Sequence, residues 1–516
     1  MKNLILLLSF SLIISNTCNA QDYTITKGEA FSPPNESKWA GYAGENSTNV
    51  FLFRIKTRGK GNKYFLESID KKTLQKQYEK ELPLEEETNI PLDPSVTSIR
   101  TFCLNDKIQI CISGFSKKEK LNKYFIKTIN TDGTFGRMEE IISSPDKISI
   151  SNYVSKDKTK LLLINELPWS EGKQNTSATL YDAESLDKLW TKQLPDQYKD
   201  SKIESYYYNI DNNGNLCFLY NYLANAETKQ LGIGVGFIQN NSQKARMFVL
   251  PNDKKYSIEN GRTMVTEDKF IFTGLFKLEV LPDEEKVKNM KPKEAIKYVA
   301  ELKTQKQAGT FSYLVDIATG AVKTQFELFP EEVAQKLSYS QGLVEKGAGN
   351  KYYTASELIT LNGDFYLIEN HKYTISGDGI ATYEREFIVT KINSKGEIKW
   401  TKIFPKNTVN NLNTFNILTH NNSIYLFYLE HPKNLKNSTV DIYYPQEYSE
   451  IRNYNGSVVV GLVINPDGTA SRKQIFENKG WCYDPQPFNI LLEKENSLLM
   501  RMINKGEERF DIIKID

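Results

Sequence analysis

The stretch Phe387–Pro405, FIVTKINSKGEIKWTKIFP, constrains the fold more than any other part of the chain. It reads as two short strands around a Ser394-Lys395-Gly396 turn, closed by an aromatic residue and a proline. Degraded copies recur from end to end, at Tyr64–Pro83, Tyr124–Ile142, Ala178–Pro195, Leu231–Pro251, Phe311–Pro330 and Val458–Phe476. Asp-Gly pairs such as Asp132-Gly133 and Asp467-Gly468 supply the positive backbone angles that short hairpin turns demand. An apolar residue followed by proline ends the copies at Leu82-Pro83, Leu194-Pro195, Leu250-Pro251, Phe329-Pro330 and Phe404-Pro405. Proline cannot donate to a ladder, so each ending is expected to stop an outer strand and turn the chain away. Trp190-Thr191-Lys192 and Trp400-Thr401-Lys402 match residue for residue.

A second strand pair precedes each hairpin, for example Ser98–Leu104 with Lys107–Ser113, or Ser423–Leu429 after 411–418. Four antiparallel strands per unit, at intervals of roughly 50 to 80 residues, is the signature of a β-propeller blade. Three strands follow the last hairpin (Phe488–Glu493, Ser497–Ile503 and Glu508–Ile515), and one lone strand, Asp22–Thr26, precedes the first blade near Trp39. The expected fold is therefore all-β: a single β-propeller spanning 21–516. Eight blades are expected, with seven the alternative if the terminal unit is over-counted. The N-terminal strand would complete the last blade and leave no open edge there.

Asp182–Trp190 and Asp316-Ile317-Ala318-Thr319-Gly320 resemble the repeat of quinoprotein-type eight-bladed propellers and of bacterial outer-membrane assembly scaffold propellers. The resemblance is confined to the outer hairpins and implies eight blades. It does not extend to a vicinal cysteine pair, so it brings no quinone and no cofactor is expected.

Residues 1–20 read as a secretory signal peptide: Lys2, an apolar run Leu4–Ile14, and small residues leading to cleavage after Ala20. Polar Ser15-Asn16-Thr17 argues against lipidation at Cys18. The expected product is exported, to the periplasm, the cell surface or the medium. With 66 basic and 64 acidic residues the charge is balanced, which gives no reason to expect nucleic acid or membrane as a partner. Nor does a later apolar run approach the ~20 residues that span a bilayer. Cys103 and Cys111 flank an Asn105-Asp106 turn and, in a two-residue hairpin, would point to opposite faces. They are read, with Cys217 and Cys482, as buried thiols; a disulfide would need another register.

Motifs for chemistry are sparse. The Asp-Gly turns lack the spacing of sialidase boxes, and Asp211-Asn212-Asn213-Gly214 lacks the alternating acids of a calcium loop. No nucleophile elbow, His-Glu-x-x-His or phosphate loop occurs. The three histidines have no metal-ligand spacing, so neither catalytic nor metal residues are assigned. What stands out is the connection between second and third strands, brief in blade 1 and long in three late blades. Insertions are expected at about 280–309, with a helix over Pro292–Lys303, at His371–Glu384 and at His431–Gly456. The connection after blade 5 is expected to open with a helix at Pro330. Long insertions on one face of a ring are where binding concentrates, and tyrosines supply contact area at low entropic cost. The candidate binding residues are His371, Tyr373, Tyr383, His431, Tyr443, Tyr444, Tyr448 and Tyr454. The expected activity is binding or scaffolding of an envelope or extracellular protein or glycan. The alternative is a glycan- or peptide-directed hydrolase using carboxylates at the channel mouth.

Overall fold

The computed structural model describes residues 23–515, less 91–97, 296–306, 336–350, 437–455, 484–489 and several shorter connections. Its strands form eight antiparallel sheets, seven built from strands consecutive in sequence. Blade 1 runs Ser37–Glu45, Asn49–Arg58, Gly61–Asp70 and Lys76–Leu82. The last blade takes its inner pieces from Cys482–Tyr483 and Ile490–Leu492, then Ser497–Asn504 and Glu507–Ile515. Its outer strand is Tyr23–Lys27, in register from Tyr23 opposite Ile515 to Lys27 opposite Asp511. The chain is an eight-bladed β-propeller closed by its own N-terminal strand.

Strand alternation puts one row of side chains toward the preceding blade and the other toward the following one, so both rows are apolar. Ser423–Glu430 is buried at every position. The core therefore lies in the seams between blades. Val460, Leu462 and Ile464 pack on Phe387 and Val389 of blade 6, while Val459 packs toward the last blade. Cys103 faces blade 1 and Cys111 faces blade 3, on opposite sides of their sheet, and both are buried thiols.

The recurring outer hairpins have a physical cause. In blades 1, 3 and 5 an Asp carboxylate accepts backbone N–H bonds across the turn: Asp70 from Lys72 and Thr73, Asp182 from Glu184 and Ser185, Asp316 from Thr319. The next residue takes a left-handed backbone, φ 59° at Leu74, 58° at Leu186 and 76° at Gly320. Neighbouring blades are then pinned by the aromatic residue of the outer strand. Tyr78 Oη donates to Thr131 O in the blade 2 turn, and Trp400 Nε1 donates to Pro466 O in the blade 7 turn. Lys192, beside Trp190, donates to Gln239 O and Asn240 O in the blade 4 turn. The matching Trp-Thr-Lys triplets are inter-blade staples.

The closing proline follows the end of the outer strand in blades 1, 3, 4 and 5 but not in blade 6. Its outer strand continues through Pro405 to Val409, with Pro405 opposite Glu386 at a bulge. An edge strand tolerates a residue that cannot donate, and the bulge absorbs the irregular register. Closure of the ring is ionic as well as backbone-bonded. Arg54 of blade 1 donates to Glu67 at 2.6 Å and to Glu508 of the last blade at 2.7 Å, all three buried.

Candidate functional site

The second-to-third-strand connections divide the ring. In blades 1 to 4 the second strands end at Arg58, Ser116, Ser170 and Asn225, and the third begin at Gly61, Leu121, Lys173 and Gln230. In blade 5 the chain leaves at Leu278 and returns at Gln307; in blade 7 it leaves at Glu430 and returns at Val458. Blade 6 differs from the expected loop. Asp364–Ser376 and Ile380–Ile392 are both 13-residue strands that stay paired to their tip. The alternation of this segment was masked by its charged residues.

Those charges are the unexpected feature. Glu384 and Glu386 of blade 6 flank Arg385 where the register shifts against both neighbouring strands. On the side facing blade 7, Lys406 makes a short contact with Glu384, and its ammonium lies 5.0 Å from the Phe387 ring centroid and 5.6 Å from that of Phe415. Glu430 of blade 7 joins the same seam. It accepts from the His431 N–H at 2.8 Å and from Asn434 Nδ2 at 2.7 Å, with Arg472 at 3.4 Å. Burial pushes the Glu430 carboxyl up to about 7, against the pull of Arg472 and Lys406. Arg472 also donates to Asn434 O at 2.8 Å, tying the 3₁₀ turn Pro432–Lys436 to the outer strand.

The other side of blade 6 carries Glu369 and His371, two residues apart on one strand and hence on one face. His371 Nδ1 lies 2.6 Å from Glu386 Oε1, both residues wholly buried. Glu369 sits opposite Ile388, which packs with Leu275, Phe329 and Val333 of blade 5. Neither oxygen of Glu369 has a hydrogen-bond partner among the described residues, and burial holds its carboxyl well above the usual range. Burial beside Ile388 favours its protonated form.

The sequence-predicted residues therefore separate. His371, expected on an exposed loop, is a strand residue with 0% exposure: the paired strands carry it into the seam beside Glu386. Tyr373 and Tyr383, also expected in the insertion, are paired in backbone register on the extended hairpin. His431 is half-buried at the start of the blade 7 connection, its pKa lowered by burial and by Lys433. Tyr443, Tyr444, Tyr448 and Tyr454 lie outside the described residues. Helix forms at 292–295 and at 331–335, both where expected, and the remainder of Pro292–Lys303 is outside the described residues.

Sequence reasoning missed Glu369, Glu384, Glu386, Lys406, Glu430 and Arg472. The signal available was placement, since Leu367-Ile368-Glu369 and Leu429-Glu430 set acids at the ends of apolar central strands. Chemically, the arrangement stores charge rather than presenting it. Glu369, Glu384, Glu386 and Glu430 each have 0% exposure, so none of them meets a molecule in solvent. The ion pairs fix the seam from which the blade 7 connection departs.

No family model matches the chain, and no curated protein matches it. Solved structures with a similar shape include the polysaccharide lyase Uly1, at 12% identity and TM-score 0.42, covering 88% of this chain and 94% of that one. The WD40 domain of SCAP from fission yeast matches at 9% identity and TM-score 0.38, over 96% of this chain and 98% of that one. The β-propeller domain of the Trilobed protease from Pyrococcus furiosus matches at 10% identity and TM-score 0.33, over 72% and 93%.

Proposed function

We propose that the protein is an exported, non-catalytic binding or scaffolding propeller that engages an envelope or extracellular protein or glycan through the late-blade face. The observation that carries this reading is the asymmetry of the ring. Blades 1 to 4 turn tightly on this face, while blades 5 and 7 send out long connections there and blade 6 raises an extended hairpin between them. The sealed ion pairs beneath support a rigid base for those connections, as a recognition surface requires. Export rests on the N-terminal segment, whose basic start, apolar run and small residues fit a signal peptide. A hydrolase reading draws on the raised Glu430 carboxyl, but a general acid must reach its substrate, and this one is covered.

The test replaces 441–455 by a short Gly/Ser linker and compares this variant with the wild-type chain in affinity capture from envelope extract. Matched melting temperatures are the control. A partner held by the wild type and lost by the variant supports the reading; identical capture, or none, overturns it.

A further inference from the structure

The seams of this ring are not equally filled. Toward its predecessor, the third strand of blade 5 presents Phe311, Tyr313 and Val315, and that of blade 7 presents Val460, Leu462 and Ile464. Blade 4 presents Gly234 and Gly236 instead, but Tyr220 and Phe218 fill the space: an added Cβ would lie 2.1 Å from a ring carbon at either glycine. Blade 3 presents Ser177 and Thr179, small polar residues, with the ring of Tyr181 following at one end. The result is an open cleft of about 230 Å³ between blades 2 and 3.

The lining has a definite chemistry. Ile141 and Ile142 of blade 2 form an apolar wall. Opposite, on blade 3, stand the hydroxyls of Ser177, Thr179 and Thr191 and the Asn165 amide, with Leu163 and Tyr181 beside them. Thr179 and Thr191 share one hydrogen bond, 3.1 Å long, which leaves one hydroxyl proton and several lone pairs for a third group. The Asn165 carbonyl oxygen is buried without a partner among the described residues. Lys188 stands at the rim, and Glu139 across the seam, within electrostatic reach of Tyr181, is paired with Arg137 at 2.7 Å.

We propose that this cleft binds one pyranose ring of a neutral glycan. A sugar ring has an apolar face of C–H groups and an edge of hydroxyls that donate and accept, which matches the isoleucine wall of blade 2 and the hydroxyls and amide of blade 3. Of the described lining residues Lys188 alone is charged, so the cleft offers hydroxyl and amide partners rather than ionic ones. The volume falls below the roughly 300 Å³ at which drug-sized pockets begin, which suits a single ring. The site lies between early blades and is independent of the late-blade face.

Saturation-transfer NMR on the full chain, with methyl glucoside, methyl galactoside, methyl mannoside and N-acetylglucosamine at millimolar concentration, tests this. At least one pyranoside is expected to receive transfer, and to receive it equally in the variant lacking 441–455. Ser177→Leu, which fills the cleft, should abolish transfer. Thr179→Val, which keeps the shape and removes the hydroxyl, should weaken the apparent Kd by about three- to tenfold. If Ser177→Leu does not fold, Thr191→Val at the exposed rim carries the same expectation as Thr179→Val. Transfer to none of the four sugars, or unchanged transfer in the cleft variants, overturns the proposal.

Discussion

Arg54→Ala tests the ionic closure of the ring. Arg54 has 0% exposure, its Nε 2.6 Å from Glu67 and a terminal nitrogen 2.7 Å from Glu508 on the last blade. Removing the guanidinium leaves Glu508 with Arg501, but leaves Glu67 with Lys76 alone, at 3.6 Å. Breaking a buried pair by deleting one partner costs about 3–5 kcal/mol. Because each carboxylate keeps one cation, we expect the low end, about 3 kcal/mol at neutral pH. Burial already pushes Glu67 up against the opposing pull of Arg54. Without Arg54 it rises further, so acidification protonates the carboxyl more readily and the loss shrinks. Urea unfolding followed by tryptophan fluorescence at pH 5 and pH 7.5 reads both effects. Arg54→Met/Glu67→Leu, which removes both charges, should recover most of the loss. A single-variant loss below about 1 kcal/mol, or a double variant worse than the single, would refute the clasp as described.

Three further substitutions probe the seams. Glu369→Leu should raise stability by about 1–3 kcal/mol, since it removes a buried carboxyl with no partner among the described residues; a loss in urea titration would mean that Glu369 does something the packing does not reveal. Glu430 holds its proton in the folded state up to about 7, against 4.5 ordinarily, so its stabilising share is complete below about 4.5 and disappears as pH rises to 7. Relative to Glu430→Gln, the wild type should therefore lose on the order of 3 kcal/mol between pH 4.5 and 7.5, measured as paired urea midpoints. Gly236→Ala should cost about 1–3 kcal/mol, because the new Cβ would meet the Phe218 ring at 2.1 Å, and adding Phe218→Leu should return part of the loss.

The architecture was legible because each blade repeats its local chemistry. Turn aspartates, left-handed positions and outer-strand aromatics are local signals, and Asp182-Ala183-Glu184-Ser185-Leu186 declares its hairpin without reference to the rest of the chain. The closing strand was legible from a shortfall of one strand at one end and a surplus at the other. His371 misled for a non-local reason. His371–Glu384 read as an inserted loop, yet Glu384 finds Lys406 22 residues on and Glu386 finds His371 15 residues back. Pairing at that separation depends on a register shift beside Arg385, which no alternation pattern announces. The cleft was hidden similarly: Ser177 and Thr179 look like ordinary strand residues until Ile141 and Ile142 of blade 2 are set against them.

Seam chemistry also sets how the blade 7 connection is rooted. A hydrocarbon seam such as that between blades 4 and 5, stacked with Phe272, Phe311, Tyr313 and Phe326, gains from burial in any close arrangement. A seam holding Glu384 with Lys406 and Glu430 with Arg472 is stable only when each charge meets its partner, since a displaced one is left buried and unpaired. Such a seam adds little net stability but resists sliding. The blade 7 connection begins one residue after Glu430, and its first turn is held by Asn434 and Arg472. A long connection rooted in hydrocarbon could shift with its blade; one rooted in this ion cluster starts from a fixed position. That is the geometry expected of a recognition surface built on a rigid ring, and it accounts for charges placed where apolar residues would pack as well.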